Sequence, residues 1–191
     1  ARKIYRTAEI TLITEEKHAG YSRCGLPFVI GGQIPSFNSL IVFQPAFYQM
    51  MKINLRNETK ATSINTGNKT VETVDKNGKT ETVPYDSLII STGAISFMPP
   101  IKGREKKGIL SLRTLEDGEK IDQAIRKGAK TAVVMGAGLI GLEVAIALHE
   151  RGLKVTVVEM LPQVLPQMLD PDMAKMVTEM LQDKGITILT G

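Results

Sequence analysis

A glycine-rich loop, placed between a predicted strand and a predicted helix, carries the clearest chemical signal in this sequence. Gly136, Gly138 and Gly141 form the pattern G-x-G-x-x-G. The first glycine permits a tight turn, the second lets a pyrophosphate approach the backbone, and the third allows close packing of helix and strand. Unpaired N–H groups at the start of the helix then favour a phosphate ligand. The loop therefore predicts a dinucleotide site.

An acidic residue at the end of the next predicted strand completes the pattern. Glu159 can accept hydrogen bonds from both ribose hydroxyls and would repel a 2′-phosphate, which favours NAD(H) over NADP(H). The simpler interpretation is that the three glycines only allow tight packing and that Glu159 is a solvated strand end. The complete strand, loop, helix, strand and acid favour nucleotide binding.

The single cysteine, Cys24, lies in the segment YSRCGLPF at a predicted junction of loop and helix. A helix N-terminus and the neighbouring Arg23 favour the thiolate, which is the reactive form of cysteine. One thiol can form a mixed disulfide, a persulfide or, with peroxide, a sulfenic acid. The alternative is an inert thiol packed in a loop.

The composition excludes several classes of partner. The 191 residues carry 24 Lys and Arg against 20 Asp and Glu, a net charge of +4, with no basic run, so no nucleic-acid partner is expected. The apolar stretch 133–148 is short for a membrane span, so no membrane partner is expected. A lone cysteine fits a reducing compartment, and we expect a cytoplasmic protein. His18 and His149 lack metal-ligand spacing with Cys24, which predicts no metal site.

Hydrophobic periodicity and turn residues place the elements along the chain. The second half is predicted as β-α-β-α-β, typical of a parallel sheet. Buried strands are expected at 88–91 and 131–135, a hairpin turn at Asn77-Gly78, and core packing for the methionine stripe of the last helix. The other predicted elements are strands at 9–14, 154–159 and 186–189 and helices at 24–30, 44–51, 139–151 and from 171, with a further helix starting at Thr114.

Four segments make the chain similar to the FAD-dependent pyridine nucleotide–disulfide oxidoreductases: CGLPF, LIISTGA followed by prolines, LRTLED, and GAGLIGLE with its downstream acid. Within them it resembles the single-cysteine branch of coenzyme A-disulfide reductase, NADH oxidase, NADH peroxidase and persulfide reductase. The resemblance implies an α/β, Rossmann-like fold with two nucleotide-binding domains, both incomplete here. These are a partial FAD-binding domain with a β-rich segment over 1–110 and a partial NAD-binding domain over 111–191. It also implies an internal fragment of a homodimer whose dimerisation domain lies outside this chain.

The resemblance carries over to individual residues. Cys24 corresponds to the redox nucleophile facing the flavin, and either Glu15 or Glu16 to the acid at the ribose of FAD, although the family often has that acid at the position of Thr14. Glu143 corresponds to a glutamate near the nicotinamide–flavin stacking region. The remaining implied contacts are Thr92, Gly93 and Arg113 with FAD, and Gly136, Gly138, Leu139, Ile140, Gly141 and Glu159 with NAD(H).

The implied reaction passes hydride from NADH through FAD to Cys24. The acceptor is then a low-molecular-weight disulfide, a persulfide, coenzyme A disulfide, or oxygen or peroxide. Two departures from the family pattern bear on it: Leu139 replaces a frequent aromatic residue, and Gly20 and Arg23 replace the serine and asparagine usual in coenzyme A-disulfide reductases. The alternatives are a cysteine-independent ferredoxin or rubredoxin reductase and a non-catalytic, NAD-binding redox-sensing module.

Overall fold

The computed structural model describes residues 2–191, which fold into eight β-strands and five α-helices. In chain order these are β1 (Ile10–Ile13), α1 (Leu26–Ile30), α2 (Pro45–Met50), β2 (Ile53–Arg56), β3 (Thr59–Asn65), β4 (Thr70–Asp75), β5 (Thr80–Pro84), α3 (Leu115–Arg126), β6 (Thr131–Met135), α4 (Leu139–Glu150), β7 (Lys154–Glu159), α5 (Pro171–Asp183) and β8 (Thr187–Thr190). None of these helices is long and apolar enough to cross a membrane.

The chain divides into two compact units that are not continuous in sequence. One contains the residues up to Tyr21 and Ile41–Ile95, and the other contains Ser22–Leu40 and Ser96–Gly191. The second unit therefore takes in an early segment that the linear division at residue 110 does not anticipate. The domain boundaries at 1–110 and 111–191 stay a prediction.

The first unit holds two small sheets. Strands β1 and β2 pair in parallel, with Ile10 opposite Ile53. Strands β3, β4 and β5 form an antiparallel sheet in that order. The predicted hairpin turn is confirmed, because Gly78 has a φ of 83° between β4 and β5, a conformation that glycine adopts without steric cost.

The buried strand predicted at 88–91 is wrong. This segment forms no strand, and the Ile89 and Ile90 side chains are 86% and 66% exposed. A run of apolar residues becomes a buried strand only where neighbouring strands accept its backbone hydrogen bonds. Neither sheet of this unit includes residues 88–91.

The second unit is built on the predicted β-α-β-α-β segment, which the structure confirms. Strands β6, β7 and β8 are parallel and lie in sequence order. Helix α4 packs against β6 and β7, and α5 packs against β8. The core between helices and sheet includes fully buried Val155 and Val157 from β7 and nearly fully buried Leu181 from α5.

Two burial predictions in this unit are wrong in part. Strand β6 exists where it was predicted, but Val133 and Met135 are exposed because alternate side chains of a strand point to opposite faces. The methionine stripe of α5 is also exposed, whereas Ala174 and Leu181 of the same helix are buried. The helix therefore presents its small and branched residues, not its methionines, to the core.

The segment 22–40 is attached to the second unit through buried contacts. Helix α1 packs against α3 and α4, and Ile30 is fully buried. The Arg151 guanidinium at the end of α4 donates to the Ile30 carbonyl over 2.7 Å and contacts the Asp122 carboxylate over 3.1 Å. One arginine thus links α1, α3 and α4.

Candidate functional site

The glycine loop runs from the end of β6 to the start of α4. Gly136 has a φ of 96°, so the backbone turns there in a conformation that favours glycine. The Gly136 N–H donates to the Val158 carbonyl over 2.8 Å, which fixes the turn to strand β7. Gly138 is the N-cap of α4 and has an extended backbone conformation.

The other two glycines differ in the space around them. A Cβ atom on Gly138 would meet no atom within 4 Å, so this side of the loop is open. A Cβ atom on Gly141 would lie within 3.0 Å of the Gly136 carbonyl oxygen and 3.1 Å from its carbon. The third glycine is therefore required for packing, and the second leaves room for a ligand to approach the backbone.

The start of α4 presents the groups that bind phosphate in sites of this kind. The first intrahelical hydrogen bond runs from the Leu142 N–H to the Gly138 carbonyl over 3.0 Å. The N–H groups of Leu139, Ile140 and Gly141 precede that bond and belong to the helix's first turn, whose donors have no intrahelical acceptor. The Leu139 and Ile140 side chains are exposed, as is Glu143 one turn further along.

Glu159 lies at the end of β7 and reaches the loop directly. Its Oε1 accepts from the Leu161 N–H and its Oε2 from the Ala137 N–H, each over 2.8 Å. The Leu161 N–H, followed by that of Ala137, holds the pKa of this carboxyl below its usual range against a smaller opposing effect of burial. The side chain is thus ionised and close to the glycine loop, as the sequence pattern predicts for a ribose contact.

Cys24 lies in a single 3-10 turn, Arg23–Gly25, that leads directly into α1. The cysteine is exposed and forms no disulfide, whereas the next three residues are buried. The buried residues hold the turn in place while the thiol stays accessible. This arrangement suits a reactive cysteine better than an inert, packed one.

Arg113 lies just before α3 and is connected to the cysteine turn. The Arg23 guanidinium donates to the Arg113 carbonyl over 2.9 Å. The Arg113 N–H donates to the Asp117 carboxylate, whose side chain also completes the capping box with Thr114 at the start of α3. Two segments separated by about 90 residues in sequence are therefore joined beside Cys24.

The other residues predicted to contact FAD lie in the first unit. Glu15 is exposed and lies 3.5 Å from the Lys60 ammonium, whereas half-buried Glu16 accepts a hydrogen bond from the Tyr21 hydroxyl over 2.5 Å. Thr92 and Gly93 are exposed, and Gly93 has a φ of 70°. These residues flank β1 and follow β5, but their role in holding FAD stays a prediction.

The structure thus brings the predicted residues together in two groups. The second unit contains Cys24, Arg113, the glycine loop, Glu143 and Glu159, and the first unit contains Glu15, Glu16, Thr92 and Gly93. Sequence reasoning missed the hydrogen bond from Ala137 to Glu159 and that from Arg23 to Arg113. No set of three or more His, Cys, Asp or Glu within residues 2–191 is arranged to hold a metal ion.

Comparisons with known proteins identify the family to which the chain is similar. The chain matches the family model of the pyridine nucleotide-disulphide oxidoreductases over residues 1–191. It is 44% identical to an NADH oxidase of Methanocaldococcus jannaschii, covering 98% of this chain and 42% of that protein. It is 32% identical to a coenzyme A disulfide reductase of Staphylococcus haemolyticus, covering 97% and 42%.

Solved structures show the same fold. A NAD-dependent persulfide reductase from A. fulgidus superposes with a TM-score of 0.95 at 39% identity, covering 99% of this chain and 36% of that one. A ferredoxin reductase from Rhodopseudomonas palustris superposes with a TM-score of 0.87 at 30% identity, covering 100% and 46%. The chain thus spans less than half the length of these relatives.

Proposed function

The chain belongs to the pyridine nucleotide-disulphide oxidoreductase family, and on that basis we propose that the complete protein is an NADH-dependent flavoprotein oxidoreductase acting through Cys24. The family uses FAD and NADH. When bound, FAD supplies the two-electron relay between nicotinamide and thiol. The observation that carries the proposal is that one compact unit holds both an exposed thiol and a complete glycine loop with its acid.

The NADH half of the proposal is supported by the loop geometry. The open side of Gly138 and the first-turn N–H groups of α4 would hold the pyrophosphate. The ionised Glu159 carboxylate would accept from the ribose hydroxyls and repel a 2′-phosphate. Leu139, Ile140 and Glu143 are exposed beside the loop, and we place them along the nicotinamide half of the nucleotide.

For the flavin, the structure offers polar and glycine positions of the expected chemistry. Half-buried Glu16, already an acceptor for Tyr21, suits a ribose contact better than Glu15, whose side chain is 70% exposed. Gly93 has a left-handed backbone conformation, and because it lacks a Cβ a ligand could approach its backbone. Arg113, tied to the Cys24 turn through Arg23, would lie at the flavin end nearest the thiol.

The proposed role of Cys24 is nucleophilic attack on an oxidised sulfur. Its thiolate attacks one sulfur of a small disulfide, releases the other as a thiolate, and leaves a mixed disulfide at Cys24. Two electrons from NADH then cleave that bond. The balance is one NADH, one proton and one disulfide giving NAD⁺ and two thiols. With a persulfide, the outer sulfur leaves as hydrogen sulfide.

The packing around Gly20 bears on which disulfide is the substrate. A Cβ atom at this position would lie 2.6 Å from the Phe43 ring and 2.8 Å from the Tyr48 hydroxyl. The serine that coenzyme A-disulfide reductases usually carry here does not fit this packing. We therefore propose a small disulfide or persulfide in preference to coenzyme A disulfide, with oxygen as a slower acceptor that gives peroxide.

The test of this proposal compares Cys24→Ser with Ser22→Ala, a neighbouring exposed change, in the complete protein. Cys24→Ser should bind NADH normally and lose NADH-dependent disulfide reduction, because serine cannot form the sulfur–sulfur intermediate. Ser22→Ala should retain it. Equal disulfide turnover in the two variants would refute the role of Cys24.

The likeness to a ferredoxin reductase supports a second candidate, a reductase that passes electrons to a protein acceptor without the cysteine. Full activity of Cys24→Ser with a ferredoxin or rubredoxin would favour it. NADH binding without any turnover would favour a redox-sensing module. We also propose a cytoplasmic homodimer on the strength of the family resemblance and the lone cysteine, and sedimentation of the complete protein tests the dimer.

A further inference from the structure

The Glu159 carboxylate contacts the glycine loop itself and does not simply face the space beside it. Its Oε2 accepts the Ala137 N–H over 2.8 Å, and its Oε1 accepts the Leu161 N–H over the same distance. Ala137 is the residue between the first two glycines of the loop. One side chain therefore joins the loop to the strand end and to the segment that follows β7.

The side chain and the carbonyl of Ala137 are also held in place. Its side chain is fully buried in the core, and its carbonyl accepts the Leu165 N–H over 2.9 Å. The preceding Gly136 N–H donates to Val158 over 2.8 Å. The first half of the loop is thus held by three hydrogen bonds to β7 or to the segment that follows it, whereas Gly138 and Leu139 are exposed.

The Glu159 carboxylate can accept further hydrogen bonds in this position. The two carboxylate oxygens offer four lone pairs in all, and the backbone N–H groups of Leu161, Ala137 and Met160 act on them here. At least one lone pair stays available for a ribose hydroxyl. Holding the loop and binding the ribose are therefore compatible roles of the same side chain.

We infer that Glu159 is a positioning residue that holds the glycine loop in its nucleotide-accepting shape before any nucleotide arrives. This inference rests on the proposed NADH site and adds a role separate from the ribose contact. Loss of the carboxylate would leave the Ala137 N–H without an acceptor next to a buried side chain, which is unfavourable. The loop would then leave the shape that the pyrophosphate requires more often.

A comparison of two ligands separates the two roles. NADH carries both hydroxyls on its adenosine ribose, whereas a 2′,3′-dideoxyadenosine analogue of NADH lacks them. The protein variants are Glu159→Ala, which removes both acceptor oxygens, and, as a matched control, Glu179→Ala, the same chemical change at an exposed residue of α5 that forms an ion pair with Lys175 over 3.8 Å. Affinities are measured by calorimetry in the complete protein.

If Glu159 holds the loop, Glu159→Ala weakens binding of the dideoxy analogue by about three- to tenfold, and Glu179→Ala leaves it unchanged. If Glu159 acts only through the ribose hydroxyls, Glu159→Ala and wild type bind the analogue equally, and the inference is overturned. If Glu159→Ala does not fold, Glu159→Asp takes its place, because it shortens the reach to Ala137 by one methylene and should also weaken binding of the analogue.

A second readout needs no nucleotide. Hydrogen exchange of the peptide covering residues 134–141 reports the protection of the Ala137 N–H directly. Exchange should be faster in Glu159→Ala than in wild type or Glu179→Ala, and equal rates in all three would overturn the inference. If wild type does not bind NADH but its Ala137 N–H still exchanges more slowly than that of the Glu159 variant, the proposed function is refuted and the loop-holding role of Glu159 is retained.

Discussion

Alanine substitutions at Gly141 and at Gly138 should have different effects, although both residues lie in the same loop. Gly141→Ala should lower stability, and Gly138→Ala should lower the affinity for NADH. At Gly141, the new methyl would lie within 3.0 Å of the Gly136 carbonyl oxygen, an atom of the backbone that cannot rotate away. Alanine is favoured over glycine inside a helix by about 1 kcal/mol, but overpacking costs about 1–3 kcal/mol and here requires α4 to move. We expect a net loss of up to about 2 kcal/mol in the free energy of unfolding.

At Gly138 the expectation is reversed. Its backbone has a φ of −76° and a ψ of 179°, which alanine adopts readily, and a Cβ atom there meets nothing within 4 Å. The loss of glycine at an N-cap costs less than about 1 kcal/mol. The methyl would instead occupy the space through which the pyrophosphate approaches, so NADH affinity should fall by about tenfold, equivalent to 1.4 kcal/mol.

The assay pairs urea unfolding with calorimetric NADH titration on both variants of the complete protein. The reasoning requires Gly141→Ala to lose stability and Gly138→Ala to lose affinity while staying nearly as stable as wild type. Wild-type stability of Gly141→Ala would mean that the close approach of α4 to Gly136 is not a constraint. Wild-type NADH affinity of Gly138→Ala would place the pyrophosphate elsewhere.

Three further predictions concern stability. Thr114→Ala removes the side-chain acceptor of the α3 capping box and should lower the free energy of unfolding by about 1 kcal/mol, measured in urea; no change would mean that the cap is not formed in solution. The folded-state pKa of Glu159 lies below its unfolded value of about 4.3. The stability that the ionised Glu159 contributes is therefore present above about pH 4.3 and is lost as the pH falls through the folded pKa. Glu159→Gln should lose less stability than wild type between about pH 6 and pH 3, and parallel curves of stability against pH would contradict this. Arg151→Met removes the link between the Ile30 carbonyl and Asp122, which should cost about 1–3 kcal/mol and raise protease sensitivity within 22–40; unchanged cleavage would contradict the attachment.

The sequence predicted the parts of the fold that depend on local patterns. The helix start at Thr114, the turn at Gly78 and the whole segment from β6 to β8 follow from turn chemistry and periodicity over a few residues. The glycine loop and its acid were predictable for the same reason, since strand, loop, helix and strand are contiguous in sequence.

The features that were missed depend on distant partners. The apolar run at 88–91 looks like a buried strand, but its burial depends on pairing that local sequence does not contain. The methionines of α5 and the smaller Ala174 are all apolar, so hydrophobicity alone does not show which of them is buried. Ala174 is buried because its side of the helix packs against the sheet. The bond from Ala137 to Glu159 likewise depends on the backbone of the turn, which no side-chain pattern specifies.

The association of segment 22–40 with the second unit has the same origin. Leu26, Val29 and Ile30 are recognisable as apolar residues of a short helix, yet nothing near them in sequence identifies α3 and α4 as their neighbours. The polar link from Arg151 to the Ile30 carbonyl is invisible for the same reason. The sequence therefore identified Cys24 as the candidate thiol, but it did not identify the helices that hold the Cys24 segment in place.

The most direct test of the central claim is an anaerobic stopped-flow experiment on the complete protein and its Cys24→Ser variant. Each is mixed with one equivalent of NADH and then with a small disulfide, while the flavin absorbance is followed. We predict that NADH bleaches the absorbance in both proteins and that the disulfide restores it only where Cys24 is present. No bleaching by NADH, or restoration at equal rates in the two proteins, would contradict electron transfer from NADH to a disulfide through Cys24.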